Sequence, residues 1–176
     1  MGKGTLIRGL LERCPGVQLS VSATTRAPRA GEVNGRDYHF LTTEQFAKRV
    51  DRGEFVEHAE YAGNRYGTLR SELERPAQGI VLEIDLQGAR QVRATLPGAT
   101  QVFIAPPSVE DLAERLEARA SDSPEQIARR LAAAPAELAA REEFSRVVTN
   151  DDLEAALEEL VDLAARMCGP EPRDPP

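Results

Sequence analysis

The chain opens on the stretch GKGTLIRGLLER, residues 2–13, in which a glycine-rich turn runs directly into a helical pattern. A phosphate-binding loop has the form Gly-x-x-x-x-Gly-Lys-Ser/Thr: its backbone N–H groups surround phosphates, its lysine neutralises them, and a helix N-terminus follows. Gly2, Lys3, Gly4 and Thr5 match the second half of that form. The first half is not in the sequence, so a chance helix start stays open as the alternative for this tetrapeptide alone.

Short apolar runs alternate with helical patterns along the rest of the chain. The apolar runs predict strands at 17–21, 80–86, 101–105 and 146–149. The helical patterns lie at about 88–95, 109–119, 124–143 and 151–167. Alternation of this kind predicts right-handed strand–helix–strand units, and therefore an α/β fold with a parallel sheet core and helices on both faces.

Residues 26–79 have a different pattern, which predicts an antiparallel insert. Strand-like runs are found at 38–41, 54–61 and 65–67, with a helical pattern at 43–51. Gly63-Asn64 is the predicted tight turn between the last two strands. The expected organisation is a core at 1–25 and 80–169, an insert at 26–79 and a disordered, proline-rich tail at 170–176.

Composition excludes several classes of protein. The 176-residue chain has 22 Lys and Arg against 29 Asp and Glu, a net charge of −7, which argues against binding nucleic acid through overall charge. No apolar run approaches the roughly 18 residues of a membrane span. Cys14 and Cys168 fit no zinc or redox spacing and are interpreted as free thiols. We expect a cytoplasmic protein that binds neither nucleic acid nor membrane, with no prediction of its oligomeric state.

Two arginines stand out in the run SATTRAPRAGE, residues 22–32. Arg26 and Arg29 are three residues apart on a loop at the carboxyl end of a predicted strand, where open α/β sheets bind ligands. The fixed fork of a guanidinium suits a phosphate monoester. Two solvated surface arginines are the alternative for this segment taken alone.

Five stretches together resemble the guanylate kinases. They are SVSATTRAPRAGEVNGRDYHF at 20–40, GNRYGT at 63–68, LEIDLQGA at 82–89, FIAPPS at 103–108 and VTND at 148–151. The resemblance extends in order from Gly2 to about Leu160. It implies the P-loop nucleoside-monophosphate-kinase fold and an ATP:GMP phosphotransferase of purine nucleotide metabolism, with core, GMP-binding and lid regions.

The resemblance also implies which residues hold GMP. The phosphate would be bound by Arg26, Arg29, Tyr38 and Tyr66. The guanine would be read by Ser22, Glu57, Thr68 and Glu83. Guanine presents donors at N1–H and the 2-amino group, whereas adenine has an acceptor at N1, so a buried carboxylate pairs with guanine and is left unpaired by adenine. An exposed strand residue is the alternative for Glu57, while Glu83 lies within an apolar run and needs a partner there.

On the ATP side, the resemblance implies that Lys3 bridges the donor phosphates and that Mg²⁺ joins the same oxygens. Gly4 stands where the general motif has a hydroxyl residue, so Thr5 is the candidate for holding Mg²⁺, directly or through water. Asp85, which is also counted among the GMP-binding residues, is a second candidate that would orient the waters of the metal or an arginine, with a helix N-cap as its alternative. Asn150 is expected near the adenine of ATP, or else as a turn former.

The segment 119–130 resembles the lid of the family. Arg119 and Arg130 flank it and would clamp the transferring phosphate when the lid closes, which also excludes water. The lid departs from the family pattern at Ala120 and Ser121. A glycine lost at this hinge removes flexibility and leaves the charge unchanged.

Two functions other than that of a guanylate kinase are compatible with parts of the sequence. One is a catalytically silent guanylate-kinase-like module that binds protein partners, favoured by the absent start of the phosphate loop and opposed by the cationic residues that are all present. The other is a kinase for a different phosphorylated acceptor, such as a ribose phosphate. The resemblance further places a first core strand before Gly2, so we expect Met1 to be a misassigned start and the chain without that strand to be a poorly stable, weak ATP binder.

Overall fold

The structure is a computed structural model that describes residues 2–117 and 124–168. Its helices are α1 (Lys3–Arg13), α2 (Thr43–Asp51), α3 (Leu86–Thr95), α4 (Val109–Glu117), α5 (Pro124–Ala139) and α6 (Leu153–Cys168). Its strands are β1 (Val17–Leu19), β2 (Ala23–Thr24), β3 (His39–Phe40), β4 (Phe55–Tyr61), β5 (Asn64–Leu69), β6 (Gly79–Val81), β7 (Val102–Ala105) and β8 (Arg146–Thr149). Short 3₁₀ helices follow β5 at Arg70–Glu74 and α5 at Ala140–Glu143. None of the described helices is long and apolar enough to cross a membrane.

The chain forms two compact units. The first unit consists of Met1–Pro15 together with Thr100–Pro176, and the second consists of Gly16–Ala99. The predicted division into a core, an insert and a lid concerns functional regions, and it stays a prediction.

In the first unit, α1 packs against α6 and β7 pairs with β8. Leu6 and Leu10 are buried on one face of α1, and Leu157 and Leu160 of α6 are buried in the same unit. The pair β7–β8 is parallel, with Val102 opposite Arg146 and Ala105 opposite Thr149. Parallel strands need a crossover connection, and the helices α4 and α5 lie between these two strands in the chain.

The second unit contains a parallel pair and a four-stranded sheet. β1 pairs with β6 in parallel, and the larger sheet has the order β3-β2-β5-β4. In that sheet β2 runs parallel to β3, while β5 runs antiparallel to both β2 and β4. The antiparallel pairing of β4 with β5 agrees with the strands predicted for the insert.

Several predicted boundaries in this unit differ from the structure; the strand predicted at 65–67, for example, is Asn64–Leu69. The strand predicted at 80–86 ends at Val81, because Asp85 caps α3: its Oδ1 accepts a hydrogen bond from the Gly88 N–H at 2.8 Å. The strand predicted at 17–21 ends at Leu19. The β4–β5 turn consists of Ala62 and Gly63, with φ of 51° and 76°, because a two-residue hairpin turn requires positive φ at both central positions.

The core of the second unit fixes β4 and β5 against α2. Phe46 of α2 stacks on Phe55 of β4 with 4.5 Å between ring centroids, and Ala23 and Leu69 complete the cluster. α2 itself begins with a capping box between Thr42 and Gln45. This packing anchors the end of the β4–β5 hairpin that lies next to Glu57 and Thr68.

Candidate active site

The start of α1 has the properties of an anion-binding site. Gly2 is the N-cap residue and has a φ of +72°, a backbone conformation that residues other than glycine rarely adopt. The first turn contains no acidic residue. Since the first N–H groups of a helix have no intrahelical acceptors and carry partial positive charge, phosphate is favoured here.

Asn150 lies against this turn, within the same unit. Its side chain is so close that a Cβ built on Gly2 would lie 2.6 Å from Asn150 Nδ2. Asn150 follows β8, is 4% exposed, and donates its backbone N–H to the Ala105 carbonyl at 2.8 Å. The structure therefore brings together two of the residues predicted for ATP. Both the positive φ of Gly2 and the closeness of the Asn150 side chain favour glycine at this position.

A cleft of about 210 Å³ in the second unit collects most of the residues predicted for GMP. Those among its lining residues are Ser22, Tyr38, Glu57, Tyr66, Glu83 and Asp85. Sequence reasoning missed four others, Ala59, Tyr61, Gly67 and Ile84. Tyr61, an exposed tyrosine at the end of β4, could have been recognised from the sequence as a candidate binding residue. A large aromatic side chain directly before a hairpin turn is seldom needed for the core.

Glu57 is the buried acid of this cleft. It is only 5% exposed, and its Oε1 accepts a hydrogen bond of 2.7 Å from the hydroxyl of Thr68, which is fully buried on β5. Burial raises the pKa of the Glu57 carboxyl, the hydrogen bonds from Thr68 oppose that shift, and the nearby Asp85 carboxylate adds to it. The alternative of an exposed strand residue is therefore wrong for Glu57.

Arg26 does not line the cleft, but it lies beside two tyrosines that do. The rings of Tyr38 and Tyr66 meet edge to face at 6.2 Å, and the Arg26 guanidinium lies 5.3 Å from the Tyr38 ring centroid. Its Nη2 is 2.8 Å from Glu32 Oε1, and the hydrogen bond to Glu32 raises the pKa of Arg26 although burial opposes it. Burial raises the pKa of Tyr38, so its hydroxyl remains a hydrogen-bond donor at neutral pH.

Arg29 is exposed, and within the described residues its guanidinium makes no hydrogen bond or ion pair. Its backbone N–H donates to Glu32 Oε2 at 2.7 Å. Glu32 therefore holds the loop by binding the Arg26 side chain and the Arg29 backbone, and these hydrogen bonds lower its pKa. Sequence reasoning missed this role of Glu32.

The structure corrects two statements about the acids that follow β6. Glu83 lies beyond the end of the strand and is exposed at the cleft, so it is not an acid within an apolar strand. Asp85 caps α3, which was the alternative interpretation of this residue. Among the described residues no group of three or more His, Cys, Asp or Glu side chains is arranged to hold a metal ion.

Glu72, which sequence reasoning also missed, joins three segments next to the cleft. Its carboxylate accepts hydrogen bonds from the Val21 N–H at 2.8 Å, from Arg75 at 2.9 Å, and pairs with His39 Nε2 at 2.8 Å. Val21 and His39 are the chain neighbours of Ser22 and Tyr38, so this carboxylate binds the backbone beside one cleft residue and the side chain beside another. Burial raises the pKa of Glu72, but the hydrogen bonds outweigh burial and hold it below its usual value.

Replacing this carboxylate is expected to destabilise the protein in a pH-dependent way. A carboxyl with a lowered pKa contributes stability above its unfolded pKa of about 4.5, and that contribution is lost as the pH falls through the lower folded value. Glu72→Gln should lower the free energy of unfolding by about 2 kcal/mol at pH 7 and much less at pH 3. Urea titrations at both pH values test this, with Glu74→Gln, an exposed neighbour, as the control; equal losses for the two variants would contradict the role of Glu72.

The lid residues are described only in part. Arg119 lies outside the described residues. Arg130 belongs to α5, and its side chain likewise lies outside the description. The proposed clamp on the transferring phosphate therefore stays a prediction for both arginines.

Comparisons with known proteins agree on one family. A family model described as Guanylate kinase matches residues 1–166. The guanylate kinase of Synechococcus sp. (strain CC9311) is 55% identical over 163 residues, 91% of this chain and 86% of that protein. That of Rubrobacter xylanophilus (strain DSM 9941 / JCM 11954 / NBRC 16129 / PRD-1) is 50% identical over 169 residues, 94% of this chain and 88% of that protein. A crystal structure of guanylate kinase from Anaplasma phagocytophilum has a TM-score of 0.75 and 32% identity, and the match covers 96% of this chain and 83% of that one.

Proposed function

Since the chain belongs to the guanylate kinase family and is an enzyme that transfers a phosphoryl group from ATP to GMP, we propose that the cleft of the second unit is its GMP site. The predicted P-loop nucleoside-monophosphate-kinase fold is confirmed by the likeness to a solved guanylate kinase. The observation that carries the proposal is the buried carboxylate of Glu57, held by Thr68 and facing a cleft that contains Ser22 and Glu83.

Glu57 supplies the selectivity for guanine. A carboxylate offers acceptors to the N1–H and 2-amino donors of guanine, and burial strengthens those hydrogen bonds. Adenine would leave the carboxylate unpaired in a poorly solvated site, where an unsatisfied charge is costly. Glu83 and Ser22 lie at the same cleft and are proposed to complete the reading of the base, with Thr68 orienting Glu57.

The acceptor phosphate is proposed to bind to two arginines and two tyrosines: Arg26, Arg29, Tyr38 and Tyr66. Arg26 is already ordered by Glu32 and by the Tyr38 ring, and it brings a fixed positive charge to the tyrosine pair. Arg29 has its guanidinium available, so it can bind a phosphate without breaking an existing ion pair. Tyr38 and Tyr66 add hydroxyl donors for the same phosphate.

On the donor side, Gly2, Lys3, Gly4 and Thr5 are proposed to bind the ATP phosphates, with Asn150 beside them. The start of α1 offers backbone N–H groups, and the Lys3 side chain neutralises charge. Arg119 and Arg130 are proposed to act on the transferring group. Phosphoryl transfer depends mainly on positioning and charge neutralisation, so these cations are the catalytic groups.

Mg²⁺ is proposed to accompany ATP, and the donor set of this chain fits it. Mg²⁺ keeps several waters and takes one or two protein oxygens besides substrate phosphates, so a protein cage is not needed. Thr5 offers an exposed hydroxyl in the first turn of α1. Asp85 already caps α3 and would act through water. When bound, the ion supplies additional neutralisation of phosphate charge.

The proposed site is tested by following ADP production with GMP, AMP and ribose 5-phosphate as acceptors. The expected result is a rate that depends on GMP and is at least about 1000-fold lower with AMP. A chain that binds GMP but produces no ADP would be the silent binding module. A preference for ribose 5-phosphate would assign the cleft to a different acceptor.

Removing the Arg29 side chain is expected to weaken the binding of GMP more than the binding of ATP. Arg29→Ala should raise the KM for GMP about 30- to 100-fold, because a charge-assisted contact to the phosphate is lost, and should leave the KM for ATP within about threefold. Arg52→Ala, an exposed arginine at the end of α2, is the matched control. Equal changes in the two KM values for Arg29→Ala would contradict its assignment to the GMP phosphate.

Two further features stay predictions. The division into a core, a GMP-binding insert at 26–79 and a lid at 119–130 is proposed to describe the functional regions of the enzyme. We also propose a cytoplasmic location, because ATP and GMP are its substrates.

A further inference from the structure

The strand that carries Glu57 is irregular directly before this residue. Phe55 is opposite Leu69 and Glu57 is opposite Thr68, so Val56 is an extra residue in β4 and forms a β-bulge. A bulge redirects the side chain that follows it. The direction in which Glu57 points therefore depends on how this part of β4 is held.

β4 is also the outer strand of its sheet, so one edge of its backbone pairs with none of the described strands. α3 binds that edge instead. Gln91 forms two hydrogen bonds with His58: its Oε1 accepts from the His58 N–H at 3.0 Å, and its Nε2 donates to the His58 carbonyl at 2.7 Å. The hydroxyl of Thr95, one turn farther along α3, lies 3.1 Å from the carbonyl oxygen of Val56 and 3.0 Å from that of Gln91, and so shares its proton between them. The residues on both sides of Glu57 are thus attached to one helix.

The same helix contacts the carboxylate itself. A Cβ built on Gly88 would lie 2.6 Å from Glu57 Oε2, 3.2 Å from Glu57 Cδ and 3.1 Å from the Cβ of Ile84. The φ of Gly88 does not require glycine, since it lies outside the left-handed region. The carboxylate is therefore the physical reason for a glycine at this position.

We propose that Gln91 and Gly88 of α3 are positioning residues that set the preference for guanine, Gln91 by fixing the backbone of β4 beside Glu57 and Gly88 by leaving room for its carboxylate. The inference rests on the proposed role of Glu57 as the guanine reader. It extends the site to a helix that lies outside the contacts with GMP. A shift of the carboxylate by a fraction of an ångström weakens hydrogen bonds whose geometry is strict, while the phosphate contacts are unaffected.

Gln91→Leu removes both hydrogen bonds and keeps a similar volume. It should raise the KM for GMP about 10-fold, while kcat at saturating GMP and the KM for ATP stay within about twofold. The preference for GMP over IMP should fall, because IMP lacks the 2-amino group and has one hydrogen bond fewer to lose. Gln87→Leu is the matched control, because the exposed Gln87 side chain, one turn earlier on α3, makes no hydrogen bond within the described residues.

Gly88→Ala gives a second variant, which leaves the Gln91 hydrogen bonds in place and adds one methyl group beside the Glu57 carboxylate. The added methyl should displace the carboxylate and raise the KM for GMP by a similar factor. Gly98→Ala is its control, since a Cβ there would meet no atom within 4 Å. Thermal melting of all four variants separates a loss of fold from a loss of position.

A double-mutant cycle with Glu57→Gln decides the inference. If Gln91 acts through Glu57, adding Gln91→Leu to Glu57→Gln should change the KM for GMP by less than about twofold. A full 10-fold effect in that background, or no effect of Gln91→Leu and Gly88→Ala in the parent, would overturn the positioning role alone. If Glu57→Gln itself leaves GMP unchanged, the proposed GMP site is wrong and the positioning role is wrong with it.

Discussion

Replacing Glu57 with glutamine is expected to lower kcat/KM for GMP about 100- to 1000-fold. The glutamine carbonyl can keep the hydrogen bond from Thr68, which leaves the amide nitrogen in place of the second carboxylate oxygen. That nitrogen is a donor and would oppose the donors of guanine. Steady-state kinetics with GMP and AMP measure the effect, and the preference for GMP over AMP should fall by a comparable factor.

The same substitution should stabilise the free protein at neutral pH. A carboxyl whose folded pKa is raised contributes its full stability below the unfolded value of about 4.5, and that contribution is lost as the pH rises through the folded value. Glutamine removes the cost of burying the ionised form. Glu57→Gln should therefore raise the free energy of unfolding by about 1 kcal/mol at pH 7 and change it little at pH 4. A variant that is less stable at pH 7 and still binds GMP would contradict both expectations.

The second large effect is expected at Lys3. The chain has two lysines, Lys3 in the first turn of α1 and the exposed Lys48 on α2, so one serves as the control for the other. Lys3→Met should lower kcat about 100- to 1000-fold, because a positive charge that neutralises developing charge on the phosphates is lost. The KM for GMP should stay within about threefold, since GMP is proposed to bind in the second unit.

Lys48→Met should leave kcat and both KM values within about twofold. If Lys3→Met retained more than a third of the parental kcat, the assignment of the α1 N-terminus to the ATP phosphates would be wrong. Equal losses in the two variants would indicate a general effect of removing a lysine.

Sequence patterns predicted the elements well where the pattern is local. The helical pattern of α1, the strand-like run of β4 and the apolar run of β7 each depend on neighbours in the chain, and the structure has these elements close to where they were expected. The strand prediction was wrong for residues 82–86, because the Asp85 side chain caps α3 and so competes with strand formation. An apolar run alone does not show which of these two conformations the chain adopts.

The candidate site was predicted partly from the residues themselves and partly from the resemblance to the guanylate kinases. Arg26 was recognisable from its place on a loop after a predicted strand, whereas the roles of Glu57 and Asp85 came from the resemblance. Glu72 and Gln91 were not, because an acid or an amide on a helix is ordinary until the structure shows that its partners are backbone groups of a distant segment. Gly88 was quoted within a motif, but the carboxylate that requires it is 31 positions away and visible only in the folded chain.

The central claim is that the buried carboxylate of Glu57 makes this cleft a guanine site. Isothermal titration of the unmodified chain with GMP, IMP and AMP, in the absence of ATP, tests it most directly. The account predicts binding in the order GMP, IMP, AMP, with GMP at least about 1000-fold tighter than AMP. Equal affinities for GMP and AMP would show that the base is not read here, and would contradict the account.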